Sequence, residues 1–226
     1  MMASGGIKGK IYQICEWVMR FACLNILWIL FSISGLIVFG IFPSTAAMFT
    51  VVRKWNMGEE DIPLFSTFWT AYKSEFLRVN MLGVSVILLG FIWIINLRYL
   101  SLLQDGQGSF TWLALMIMMV ILTVVLLYFF PVFVHFELKY FQYLKYTLII
   151  GFSFPLQTFL MAVSTIVLYF SMTLLPGLFP FFSGSLFSFT IMWIALKVFR
   201  KIKERQKLNT DEMNTAHLDD RKRIYQ

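Results

Sequence analysis

The sequence predicts an all-α, polytopic membrane bundle, and three observations carry that prediction. Apolar residues make up 59% of the 226-residue chain and charged residues 14%, against roughly 45–50% and about 25% in soluble domains. Apolar runs with almost no charge cover 21–42, 81–95, 110–136, 147–175 and 176–199, and a run of about 20 such residues crosses the hydrocarbon of a bilayer. The basic residues collect between the runs and in the tail, where nine of the nineteen lie at or after Lys197. Basic flanks of membrane spans stay cytoplasmic. A nucleic-acid role would need a binding fold beside the charge, and none is visible, so no nucleic-acid partner is expected.

The chain begins with an amphipathic helix. Ile7, Ile11, Ile14, Cys15 and Val18 recur at helical spacing, with Lys8, Lys10, Gln13 and Arg20 mostly elsewhere. Such a helix lies at the membrane surface before entering it. The apolar stretch that follows is longer than the 7–15-residue core of a signal peptide, so a retained span is expected. Cys15 and Cys23 stand eight residues apart, about 12 Å along one helix. That is too far for a disulfide, and both read as small hydrophobes.

The segment after the first run sets the topology. If 43–55 does not recross, there are five spans and the basic residues split fifteen to four between the two sides. If the chain turns near Pro43 and comes back, both termini lie on one side and the split is eighteen to one, which obeys the positive-inside rule better. Pro43, Ser44 and Thr45 suit a helix start, and Ala46 and Ala47 permit close packing. At 13 residues, about 20 Å, the returning segment is short, so a re-entrant or inserted helix is expected.

Residues 64–80 form an amphipathic interfacial helix in this reading. Phe65, Phe68, Trp69, Tyr72 and Phe76 share one stripe with Leu64, and Thr67, Lys73, Ser74, Glu75 and Arg78 occupy the other sides. The aromatics either sit at the headgroup level or offer a docking face to a partner. The later runs follow, interrupted by Pro131, Pro155 and the turn at 176–180. Residues 1–207 make a single transmembrane domain, and 208–226 a disordered cytoplasmic tail. Lys197, Arg200, Lys201, Lys203 and Arg205 precede it, placed to contact anionic lipid.

The order of features resembles the YesL-type integral membrane proteins, a bacterial family of unknown function. The resemblance rests on Cys15-Glu16-Trp17, on residues 40–48 from Gly40 through Pro43 to Met48, on Val52-Arg53-Lys54-Trp55, on Gly58-Glu59, and on Phe65, Phe68-Trp69, Tyr72 and Phe76. It is strong over residues 10–80, and beyond that only hydropathy carries it. Members of that family are often encoded beside carbohydrate uptake systems of the ABC type. The resemblance therefore implies a link to such a transport complex; it implies no catalytic or binding residue.

Little chemistry is visible. The strongest polar groups at depth are Asn25 and Gln157, with Ser32, Ser34, Ser164 and Thr165. The plain role of each is an interhelical hydrogen bond; the sharper role is lining a solute path. Gln157, two residues past Pro155, is placed to satisfy a carbonyl freed by the kink. His135 and Glu137 do not share a helix face, so no metal site is expected there. No nucleophile–base arrangement and no P-loop appears, so neither an enzyme nor a cofactor is expected. An Ala46-Ala47 echo of the coupling loop of ABC permeases lacks the glutamate and glycine of that motif. Two functions remain: an accessory, partner-binding membrane protein, or a small carrier or channel. Oligomeric state is not encoded in any of these features.

Overall fold

The structure, a computed structural model, describes residues 7–102 and 109–224. Among them the chain forms seven α-helices and no strand: α1 (Ile7–Ser34), α2 (Val38–Asn56), α3 (Leu64–Leu102), α4 (Ser109–His135), α5 (Tyr140–Ser153), α6 (Pro155–Leu174) and α7 (Phe179–Ile224), with a 3-10 turn at Pro176–Leu178. α1, α3, α4, α6 and α7 are long and apolar enough to cross a membrane. This is a multi-pass helical membrane protein.

α1 and α2 form the helical hairpin, but the turn comes earlier than Pro43. It lies at Gly35, Leu36 and Ile37, and α2 is already helical from Val38. A Cβ added to Gly35 would lie 2.4 Å from Gly40 Cα, so only glycine allows the two backbones this approach. Leu36 and Ile37 take left-handed φ values of 59° and 61°, which cost of order 1–3 kcal/mol each in residues with a Cβ. Pro43 therefore sits inside α2 and removes the donor that would reach the Phe39 carbonyl. Asn80 of α3 supplies the missing donor: its Nδ2 is 3.0 Å from Phe39 O. α2 fills the centre of the bundle, burying Ala46, Ala47, Met48, Phe49, Val51 and Val52. Along α3 the hairpin meets Asn80 and Gly83, where Phe42 packs, and lines a cavity with Val84 and Ile87.

α3 corrects the expectation of a separate interfacial helix at 64–80. It is one continuous helix of 39 residues, about 58 Å long, because no proline or helix cap interrupts it. That is nearly twice the hydrocarbon thickness, so the half carrying Lys73, Glu75 and Arg78 cannot lie wholly among the lipid tails. The run at 147–175 is divided instead. α5 ends at Ser153, and Pro155 opens α6. The Gly151 carbonyl freed by this proline accepts from Thr158 Oγ1 at 2.8 Å. Thr158, not Gln157, secures the break.

α7 is helical for 46 residues, about 69 Å, and its backbone stays helical to Ile224. No proline or glycine follows Gly184, and a helix already nucleated in the bundle propagates where neither residue breaks it. The side chains beyond Thr210 lie outside the described residues.

Candidate functional site

Asn25 is 0% exposed and joins α1 to the start of α7. Its Nδ2 donates to Pro180 O at 2.7 Å, and its Oδ1 accepts from the Ser185 backbone N–H at 3.1 Å. A Cβ on Gly184 would lie 2.9 Å from that oxygen, so the glycine makes room for the amide. Asn25 is thus an interhelical tie with both ends engaged. Gln157 is half-buried and takes no part in it. Ser34 and Ser164 bond back to carbonyls of their own helices. Ser32 and Thr165 have buried hydroxyls without a partner among the described residues.

The aromatic stripe on α3 is only partly turned inward. Phe68 is 0% exposed and Tyr72 is buried, but Phe65 is 61% and Trp69 43% exposed. Phe31 of α1 gathers them, with ring centroids 5.0 Å from Tyr72, 5.3 Å from Phe68, 5.4 Å from Trp69 and 6.3 Å from Phe65. Phe76 meets Tyr72 edge-on at 5.6 Å.

The opposite face of the same half-helix builds the feature that the sequence did not reveal. Ser66, Thr70 and Ser74 recur every four residues, beside Thr67 and Glu75. With Arg53 of α2 and the end of α4 they line an open cleft of about 480 Å³. Read along one helix this is a solvated face; the cleft exists because three helix ends meet. Its cations hold the end of α4 and the 136–139 connection to α5. Arg53 Nη1 donates to Val134 O, and Arg78 Nη2 donates to Leu138 O at 2.9 Å and Tyr143 Oη at 2.8 Å. Cations at a helix C-terminus meet its unpaired carbonyls and negative dipole end. Arg78 also stands 3.8 Å from Glu75, and Lys54 stands 3.6 Å from Glu59. Arg53 has no carboxylate within ion-pair distance among the described residues.

A second cavity of about 550 Å³ lies between α4, α5 and α7, with His135, Phe154, Phe199, Lys203 and Arg205 on its walls. His135 faces both cavities and stacks on Phe199 at 4.6 Å. Lys197, Arg200, Lys201, Lys203 and Arg205 are all exposed. Lys197 folds over Trp193, and Arg205 over Phe154, so the stems of these basic residues run along apolar surface.

The short motifs of the sequence are latches. Glu16 and Asp61 pair with Arg20, which also donates to Glu60 O at 2.8 Å. Trp17 packs on Trp55, Phe21 and Phe189. Gly58 takes a φ of 94° just after α2, the left-handed position at which glycine ends a helix.

Residues 21–97 match the family described as protein of unknown function, DUF624. The chain is 40% identical over 205 residues to the uncharacterized protein YteU of Bacillus subtilis, covering 90% of this chain and 91% of that one. It is 36% identical over 211 residues to YesL of the same organism, covering 92% and 98%, and 38% identical over 195 residues to its YesV, covering 86% and 94%. No solved structure matches. The likeness to these relatives thus extends well past residue 80, to which the motifs alone had carried it, and the chain belongs to the DUF624 family of YesL-type proteins.

Proposed function

We propose that the protein is a non-enzymatic, partner-binding component of a bacterial plasma membrane, with both termini cytoplasmic, and that its partner is a membrane complex for carbohydrate uptake. The observation that carries this reading is Asn25. The strongest polar group at depth is engaged at both ends by α7, which supports a packed bundle over a polar path. The charge split of eighteen to one supports the orientation, and the family resemblance supports the class of partner. The exposed Phe65 and Trp69, next to Lys73, are the surface on which a partner would sit.

The cleft beside Arg53 favours a second reading, a small carrier. Two measurements separate the two. A photoreactive amino acid at position 65 or 69 should give a discrete crosslinked transport component in cells, and the same probe at lipid-facing position 91 should give none. Purified protein in liposomes should admit no sugar or ion above the protein-free rate. Uptake by the protein alone, with no crosslink at 65 or 69, would overturn the accessory reading in favour of the carrier.

A further inference from the structure

Buried polar atoms normally find partners. Six buried side-chain nitrogen or oxygen atoms lack one among the described residues, and three of them belong to residues of one cleft: Arg53 Nε, Glu75 Oε2 and His135 Nδ1. Arg53 Nε is a donor and a carboxylate oxygen such as that of Glu75 an acceptor, while a neutral His135 offers either one. Arg53 is also half-buried with no carboxylate at ion-pair distance among the described residues, Glu59 acting on it only from further off, and a buried charge is costly unless paired. The remaining charges in the cleft largely cancel: Arg78 stands against Glu75 and Lys54 against Glu59, leaving Glu137 exposed at the rim.

A ligand that answers Arg53 and Glu75 carries a negative charge for the first and hydroxyl hydrogens for the second. A simple anion supplies only the first, and a neutral polyol only the second. We infer that the α2–α3–α4 cleft is a binding site for a hydroxyl-bearing phosphate ester of the glycerol phosphate type, presented either as a free solute or as a phosphatidylglycerol headgroup. The phosphate oxygens accept from Arg53, in the charge-assisted geometry that suits a guanidinium. The ester's hydroxyls donate to Glu75 and exchange hydrogen bonds with Thr70 and Ser74. The volume of about 480 Å³ falls in the usual range of small-molecule sites. The apolar wall of Phe133 and Val134 suits a group that approaches from the bilayer boundary. The site is independent of the partner-binding role proposed above.

The test uses full-length protein in phosphatidylcholine nanodiscs. Saturable binding is measured for glycerol 3-phosphate, for glycerol, for inorganic phosphate, and for phosphatidylglycerol mixed into the disc. Glycerol 3-phosphate or phosphatidylglycerol should bind at least tenfold tighter than glycerol. Arg53→Gln should weaken that binding tenfold or more. Glu75→Gln should remove the preference for glycerol 3-phosphate over inorganic phosphate, a readout that general loss of stability would not give. Thr70→Ala, on the exposed wall, should fold normally and weaken binding several-fold if Arg53→Gln fails to accumulate. Binding of the lipid alone assigns the site to the headgroup, and binding of the solute assigns it to free ester. Neutralising Arg200, Lys201, Lys203 and Arg205 together should leave the affinity unchanged. The inference falls if none of the probes binds, if the loss follows the α7 cluster instead, or if Arg53→Gln and Thr70→Ala bind like the unaltered protein.

Discussion

The half of the bundle built by α1, α2, the front of α3 and the start of α7 is held by specific contacts. Phe31 gathers four rings, Asn25 ties α1 to α7, Asn80 mends the proline break in α2, and Trp28 Nε1 bonds Thr45 at 3.0 Å. The other half, made of the back of α3, the front of α4 and the whole of α6, is different. Ile87, Leu88, Phe91, Ile92, Ile117 and Phe159 are exposed aliphatic or aromatic surface. Lipid tails are as apolar as these side chains, so hydrophobicity alone gives such helices no reason to associate. Shape and hydrogen bonds must do it, and in this half the bonds run from Tyr140 Oη to the Met81 carbonyl at 2.8 Å and from Thr158 Oγ1 to Tyr128 Oη at 3.2 Å. The DUF624 match at residues 21–97 covers most of the first half.

Identical substitutions in the two halves give the widest expected contrast. Phe68→Ala opens a cavity at a fully buried site and should cost about 3 kcal/mol. Phe91→Ala faces lipid at 58% exposure and should cost little. Midpoints of detergent-induced unfolding compare the two, and equal losses would show that the back of α3 is packed against something. Asn25→Leu comes next, at about 2 kcal/mol, because it strands the Pro180 carbonyl and the Ser185 N–H. Gln157→Leu is its control and should change the midpoint little.

The proline repairs are a step smaller. Asn80→Ala leaves the Phe39 carbonyl without its donor and should cost about 1 kcal/mol. Thr158→Val does the same to the Gly151 carbonyl and should cost a similar amount. The sharper check is additivity. The two sites share no partner, so the double variant should show the sum of the single effects, and a shortfall would mean that the halves are coupled.

Hydropathy alone made the fold class and the five long helices readable, because in lipid every backbone group must bond within its own helix. The turn was misplaced for a physical reason. Pro43 reads as a helix start, but its missing donor is replaced by Asn80, thirty-seven positions away, and no local pattern records that. The true turn depends on the approach of Gly35 to Gly40 and on left-handed Leu36 and Ile37, residues with no turn signature. The role of Asn25 as an interhelical tie was legible, since a lone amide in an apolar run needs a partner. The cleft was not. Ser66, Thr70 and Ser74 look like a plain wet face until the ends of α2 and α4 are placed beside them.

The smallest effect concerns Arg20. It bonds Glu16, Asp61 and the Glu60 carbonyl, and so pins the 57–63 loop to α1. Asp61 is almost fully exposed and Glu16 partly so, and ion pairs of that kind contribute about 0–1 kcal/mol. Arg20→Gln should therefore leave the unfolding midpoint nearly unchanged. It should act locally, because the loop loses its backbone anchor as well as its charges. Protease cleavage within 57–63 should become faster, and the rate in unaltered protein should rise toward that of the variant in high salt, where exposed pairs are screened. Asp61→Asn should reproduce only the salt-sensitive part, because the bond from Arg20 to the Glu60 carbonyl survives it. A loop that cuts equally slowly in all three proteins would show that Gly58 and the end of α2 hold it without help from α1, and the front half would then owe its order to its packed aromatics and buried amides alone.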